Sequence, residues 1–409
     1  MKNIILFDDD RWEKLLPLTY TRPIGALRVG IDTIADKWAR IYDAQVSFIT
    51  KDFLSKKYPI NIKSGENILI AGHLLPSPQI IMMIENLSLN QALLYKDCLL
   101  AAKIDDGDID KIKNNEDLFS IKGVDLSAKP DIVKCLNNVT DIFKYNDEYI
   151  RSDFETLTAG KHSAPLSETN TLIGKKENLF IDEDASIEGA ILNCTTGPIF
   201  IGKKVIVMEG AMIRGPFSAQ ENSVIKMGAK VYGATSLGPH CIMGGEINNV
   251  VVQGYSNKSH DGYLGNAVLG EWCNLGADTN ASNLKNNYEE VKIWSYVTNR
   301  FEKTGLNKVG LIMADHSKTG INTMLNTGTV MGVSCNIFGD GFPRTFIPSF
   351  AWGGASGYST YMIEKALDTA KKMMHTRNIE LSLEDEDILR AVYQYSAQYR
   401  TWDKSIVQH

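Results

Sequence analysis

Residues 201–243 read IGKKVIVMEGAMIRGPFSAQENSVIKMGAKVYGATSLGPHCIM. Within them Ile201, Val207, Ile213, Ala219, Ile225, Val231, Leu237 and Met243 follow one another at intervals of six. Gly202, Gly238, Gly210, Gly228 and Ala234 recur at offsets between them. An apolar side chain at every sixth position sends one residue per short strand into a shared interior, with turns between, which is the pattern of a parallel β-helix built from hexapeptides. Ile181 and Ile187 open the pattern earlier, and it resumes at Leu264-Gly265, Leu269-Gly270, Leu275-Gly276, Val309-Gly310, Ile321 and Val333. Two segments stand outside the count. Asn257-Lys258-Ser259-His260-Asp261-Gly262-Tyr263 interrupts it with polar residues, and Trp294 to Leu306 is expected to loop out on one face.

The rest of the chain is read outward from this solenoid. A length of 409 residues predicts two or three domains. A hydrophobic fraction of 44% with 22% charged residues is that of a soluble globular protein. The net charge of −6 gives no electrostatic reason for a nucleic-acid partner. The amino terminus, Met1 to Asp8, is unlike a secretory signal, and no run reaches the roughly 18 apolar residues of a membrane span, so a cytoplasmic protein with no membrane partner is expected. Six cysteines without a C-x-x-C pair predict buried thiols in place of a zinc or disulfide framework.

Before the solenoid, apolar runs at Asn3 to Phe7, Val46 to Thr50 and Asn67 to Ala71 alternate with helical segments such as Gly30 to Tyr42, which predicts an α/β domain over residues 1–165. The loop after the first strand holds Arg11, Lys14, Thr19 and Arg22, and cations and hydroxyls at a strand's carboxyl end are suited to phosphate. Helix continues through Asp141 to Phe154, and Thr158 to Pro165 has the composition of a linker. After the solenoid at 166–357, residues 358–409 switch to helical spacing: Ile363, Leu367, Ala370 and Met374 share a face, and a second helix is expected from Ser382, with Asp385 placed to cap it. The aromatic and glycine-rich run between Phe342 and Gly354 is expected to close the open end.

Two resemblances attach to these residues. Leu15-Leu16-Pro17-Leu18-Thr19 followed by Thr21-Arg22-Pro23 resembles the signature of sugar-phosphate nucleotidyltransferases, with Lys14 and Arg22 at the places of its loop arginine and its lysine. The resemblance implies a Rossmann-like domain that uses Mg2+. Asp8, Asp9 and Asp10 stand where that family has glycines, and His73 stands where its L-x-x-G-D motif has the metal-binding aspartate. Hexapeptide repeats resemble the left-handed β-helix of acyltransferases and of some carbonic anhydrases. His240, His260 and His316 lack the clustered spacing of the latter's zinc ligands, so no metal site is expected there.

His260-Asp261-Gly262-Tyr263-Leu264-Gly265, then Asn274-Leu275-Gly276-Ala277, then Asn283-Leu284, resembles the acetyltransferase domain of bifunctional N-acetylglucosamine-1-phosphate uridylyltransferases, and Asn283-Leu284-Lys285-Asn286 is closer to archaeal sugar-phosphate nucleotidyl/acetyltransferases. The resemblance implies that His260 is the catalytic base and that Tyr263 and Asn274 contact the sugar phosphate. It also implies that Asn283 meets the thioester or the amine, that Lys318 and Thr319 meet acetyl-CoA, and that the protein is a homotrimer. Lys258 is a candidate for the sugar's phosphate.

The chemistry matches those residue types. An amine with a pKa near 8 is largely protonated at neutral pH and cannot attack a thioester, whereas an imidazole with an ordinary pKa of about 6.5 can accept its proton. The expected function is acetyl transfer from acetyl-CoA to an amino-sugar 1-phosphate in nucleotide-sugar biosynthesis, together with nucleotidyl transfer from UTP or dTTP. The alternatives are a nucleotidyltransferase with a purely structural, trimerising β-helix, and a non-catalytic sugar-nucleotide binding protein.

Overall fold

A computed structural model describes residues 2–96, 98–105 and 122–403. The chain divides into two compact units, one of Met1–Leu27 with Asp32–Asp141 and one of Arg28–Ile31 with Ile142–His409.

Unit 1 is built on a six-stranded sheet in the order Val46–Ile49, Ile4–Phe7, Glu66–Ala71, Cys98–Asp105, Gln91–Tyr95, Lys122–Asp125. The first three strands are parallel, with Ile4 paired to both Val46 and Ile68. A central parallel strand is covered on both faces, which is why Ile4–Phe7 is apolar without alternation and buried throughout. The following helix runs Ile34–Tyr42. Thr33 Oγ1 accepts from Asp36 N at 3.1 Å and Thr33 N donates to Asp36 Oδ2 at 3.2 Å, a reciprocal cap that satisfies two helix-end groups.

The helix begins four residues later than its spacing suggests because Arg28–Ile31 leaves unit 1. In unit 2, Arg28 N donates to Gln253 Oε1 at 2.7 Å, Gly30 N to Asn146 Oδ1 at 2.8 Å and Ile31 N to Asp153 Oδ2 at 2.8 Å. Asn146 and Asp153 lie on the helix Thr140–Thr158, whose Ile150 and Phe154 pack with Phe180, Phe200 and Ala234 of the solenoid.

The solenoid of unit 2 is a left-handed parallel β-helix. All eight residues of the six-residue series from Ile201 to Met243 are buried in one continuous core. Stacking is in register: Val207 pairs with Ile225, Ile225 with Met243, and Met243 with Lys258. The polar segment at 257–263 therefore does not interrupt the β-helix. Lys258 occupies the inward slot that follows Ile225 and Met243 in its column, and this is what hides the repeat in the sequence. Ile321 departs the other way. It is 72% exposed, and the inward position of its coil belongs to Thr319, paired between Leu275 and Ile337.

One corner of the solenoid is formed by left-handed residues, among them Asn222, His240, Tyr255, Trp272, His316 and Phe350, with φ between 53° and 61°. Bulky residues rarely adopt that conformation. Here it is repeated coil after coil, and the rings stack, with Tyr255 5.2 Å from His240 and 4.4 Å from Trp272. His240 and His316 belong to this column, whereas His260 lies on a different turn.

Between Ser282 and Val309 the chain leaves the coil to form an antiparallel hairpin of Lys292–Ser295 and Arg300–Lys303, and the Trp294 ring stacks on Phe346 at 4.2 Å. The last parallel strand, Ala351–Gly354, turns back on Gly357–Thr360 and closes the end. Helices Ile363–His375 and Leu383–Tyr395 follow, the second capped by Ser382 Oγ, which accepts from Asp385 N at 3.1 Å. Among the described residues no helix is long and apolar enough to cross a membrane.

Candidate functional site

His260 sits in the turn between the strands Asn257–Lys258 and Tyr263–Glu271. Its side chain is exposed and makes no hydrogen bond among the described residues. Its backbone is held from below. Lys258, 1% exposed, donates from Nζ to the carbonyl oxygens of His260 at 2.7 Å and Asp261 at 3.2 Å. Burial pulls the ammonium down to about 8, with Asp261 and Asp278 acting against it. The turn is also tied to its neighbours, because Asp278 N donates to Asp261 O at 3.1 Å and Gly244 N to Lys258 O at 2.7 Å. Gly262 has φ of +116°, and a Cβ there would fall 2.3 Å from Thr279 O. Only glycine fits that turn.

On the strand after the turn, Tyr263 N donates to Asn280 Oδ1 at 2.8 Å, and the phenol accepts from Asn283 Nδ2 at 3.0 Å. Asn283 Nδ2 also donates to Asn266 Oδ1 at 2.7 Å. With the Asn249 amide oriented to donate to Ala234 O and Phe143 O, its oxygen accepts from Asn266 Nδ2 at 3.0 Å. Asn249, Asn266 and Asn283 thus form an amide ladder beside the tyrosine. Gly265 lets the ring approach, since a Cβ there would lie 2.3 Å from Tyr263 Oη. A polar hollow of about 480 Å³ adjoins Asn283, lined by Ser282, Lys285, Asn287, Asn326 and Thr327 among others.

On the strand before the turn, Asn257, Asn274, Lys318 and Asn336 are paired in succession along one outer face. Asn257 Nδ2 donates to Asn274 Oδ1 at 3.4 Å and Arg377 Nη2 to Asn257 Oδ1 at 3.0 Å. Lys318 folds back, with Nζ donating to His316 O at 3.0 Å, and burial pulls its ammonium down to about 8. Thr319 faces the interior, where its Oγ1 is 2.9 Å from Thr279 Oγ1 and accepts from Gly276 N at 3.1 Å. Of the expected residues of the solenoid, Asn274 and Lys318 lie on strands that precede the corner formed by His260, Tyr263 follows it, and Asn283 stacks beside Asn266 at the next turn, reached by the Tyr263 phenol. Lys258 and Thr319 lie inside. The residues that sequence reading missed are Asn249 and Asn266, although a spacing of 17 from Asn249 to Asn266 to Asn283 was available to reveal them.

In unit 1 the expected phosphate residues lie apart in kind. Lys14 is exposed, Thr19 is buried and donates from Oγ1 to Trp12 O at 2.7 Å, and Arg22 is buried. Arg11 is paired with Asp9 and donates from Nε to Asn137 Oδ1 at 3.2 Å. Where a glycine loop would leave room for phosphate, Trp12, Leu15, Leu16 and Leu18 are packed as core. The residues present do not fit Mg2+: His73, wholly buried, offers no oxygen ligand, and the Asp9 carboxylate is already paired with Arg11 and His73.

Residues 4–162 match the sugar nucleotidyl transferase family. The bifunctional protein GlmU of Methanocaldococcus jannaschii is 31% identical over 90 residues, 22% of this chain and 21% of that protein. The bifunctional sugar-1-phosphate nucleotidylyltransferase/acetyltransferase of Sulfurisphaera tokodaii is 31% identical over 93 residues, 23% of each. The aligned part thus spans less than a quarter of the length of these curated relatives. A solved structure, the UDP-N-acetylglucosamine acyltransferase of Arabidopsis, is 14% identical with a TM-score of 0.22, over 60% of this chain and 98% of that one; the fold rests on its own strand ladders. Residues 4–162 thus resemble the sugar nucleotidyl transferase family, and the chain is similar to bifunctional GlmU-type proteins.

Proposed function

We propose that unit 2 transfers the acetyl group of acetyl-CoA to the amine of an amino-sugar 1-phosphate, with His260 as the general base. The observation that carries this reading is the clamped turn: a buried ammonium fixes the carbonyls of His260 and Asp261 while the imidazole is left exposed and unengaged. A base must be held in place while its ring nitrogen stays available.

In the reaction, acetyl-CoA supplies an activated acyl group. The nitrogen lone pair forms the amide bond to the carbonyl carbon as the C–S bond breaks. His260 takes the proton leaving the nitrogen and returns it to the departing sulfur, so charge balances without a metal ion. Tyr263 and Asn283, already paired, are suited to orient the sugar. Asn283 spends both amide hydrogens on Tyr263 and Asn266, so the donor suited to the phosphate or the developing oxyanion is Asn274 Nδ2, whose oxygen alone is engaged among the described residues. Lys258 acts here as a positioning residue and not as a phosphate contact, because its ammonium is turned inward.

The reading includes a homotrimer, in which a neighbouring copy completes the corner, and Lys318 beside bound acetyl-CoA. A second reading, nucleotidyl transfer from UTP or dTTP to the sugar 1-phosphate, is favoured by the family match of residues 4–162. Incubation with acetyl-CoA and glucosamine 1-phosphate, followed by thiol release, tests the first reading. Pyrophosphate release from UTP and N-acetylglucosamine 1-phosphate tests the second.

A further inference from the structure

We propose that unit 1 takes no divalent cation at the carboxyl ends of its parallel strands: the ion pair of Asp9 with Arg11, backed by His73, fills that place, and Arg11 supplies its positive charge.

Three carboxylates in a row, Asp8 to Asp10, look like an ion-binding cluster in the sequence. In the folded chain they part ways. Asp8 accepts from Ile24 N at 2.9 Å through one oxygen and from Thr50 Oγ1 at 2.6 Å through the other. Burial pushes its carboxyl up to about 7, against the hydrogen bonds from Thr50 and Ile24. Asp9 accepts from Arg11 N at 2.9 Å, forms an ion pair with the Arg11 guanidinium and lies 3.5 Å from His73 Nδ1. Burial acts against its ionisation, yet His73 and Arg11 hold it below the usual carboxylate range. Asp10 is exposed at the head of a four-residue helical turn.

The turn carrying His73 lies directly against this group. A Cβ on Gly72 would come within 3.3 Å of Asp8 Oδ1 and of Phe7 O. His73 is 0% exposed, and burial favours its neutral form. A hard dication needs several oxygen ligands in a near-regular shell. Here the one carboxylate held ionised is already neutralised by a guanidinium, which Asn137 fixes in place and which repels a second cation. Nucleotidyl transfer by unit 1, the second reading above, would therefore proceed without a metal ion held by these residues. Acetyl transfer by unit 2 neither requires nor excludes this.

The test uses the full chain, with two readouts. Thermal unfolding is compared in Mg2+ and in EDTA, and pyrophosphate release from UTP with N-acetylglucosamine 1-phosphate is followed under both conditions. The wild type is expected to melt at the same temperature in each and to release no more pyrophosphate with Mg2+ than without. In the double variant Arg11→Gln/His73→Asp, two carboxylates face one another without a cation. Its Tm is expected to rise by several degrees on adding Mg2+, or, if it is unfolded in EDTA, Mg2+ is expected to restore it. Mg2+-dependent pyrophosphate release by the wild type that is lost in Asp9→Asn would overturn the proposal. So would a double variant whose folding is indifferent to Mg2+.

Discussion

The ammonium of Lys258, inside the β-helix, donates to the carbonyl oxygen of His260 at 2.7 Å, so the core of the solenoid directly holds the backbone of its most suspect turn. A methionine side chain has similar length and no charge. Lys258→Met should leave the fold and Tm intact or slightly improved, because the slot follows Ile225 and Met243 in its column. Hydrogen exchange of the amides from Ser259 to Tyr263 should rise at least about tenfold with the clamp gone, and kcat should fall by a similar factor. Exchange mass spectrometry beside steady-state kinetics checks both.

The same residue sets a pH dependence. Its folded pKa of about 8 lies below its ordinary 10.5, so the unfolded chain binds the extra proton between those values, and stability rises with pH across that window. Urea unfolding should show the stability advantage of Lys258→Met over wild type shrinking from pH 7.5 to pH 10. A constant difference would mean that the buried amine does not titrate in the fold.

Asp8 has the opposite sign. Its folded pKa of about 7 lies above the ordinary 3.8, so the folded state holds the extra proton and stability falls as pH rises through that range. Asp8→Asn removes the dependence while retaining an acceptor. Relative to wild type the variant should gain on the order of 2 kcal/mol of stability between pH 5 and pH 8, read from denaturant midpoints of unit 1.

Gly265→Ala tests the tyrosine and its amide ladder. The new Cβ would meet Tyr263 Oη at 2.3 Å and Asn283 Nδ2 at 2.8 Å, so the ring must swing away and leave the buried amide unpaired. We expect a loss of about 1–3 kcal/mol in stability and a rise in KM for the sugar phosphate greater than any fall in kcat. An unchanged KM would remove Tyr263 from the substrate site.

These residues also mark how far the sequence can be read. The solenoid is legible because period six is a property of the chain alone, and every member of the series from Ile201 to Met243 is buried. Lys258 is not, because a charged side chain in an inward slot looks like an outward one until the carbonyls that receive its ammonium are in place. Thr319 and Ile321 exchange roles for the same reason: a hydroxyl satisfied inside leaves an isoleucine outside. In unit 1, Asp8 to Asp10 are adjacent in sequence, but of the partners that separate them only Arg11 is local, and Ile24, Thr50 and His73 come from distant turns. Arg28 lies close to the cation-bearing loop in sequence, yet Gln253, 225 residues on, receives its backbone amide.

The most direct measurement is thiol release from acetyl-CoA over a panel of amino-sugar 1-phosphates, by wild type and by His260→Ala at matched Tm. The account predicts turnover by wild type with at least one amino sugar and a fall in kcat of at least about 10² in the variant. No thiol release across the panel, or equal turnover by the two proteins, would contradict it.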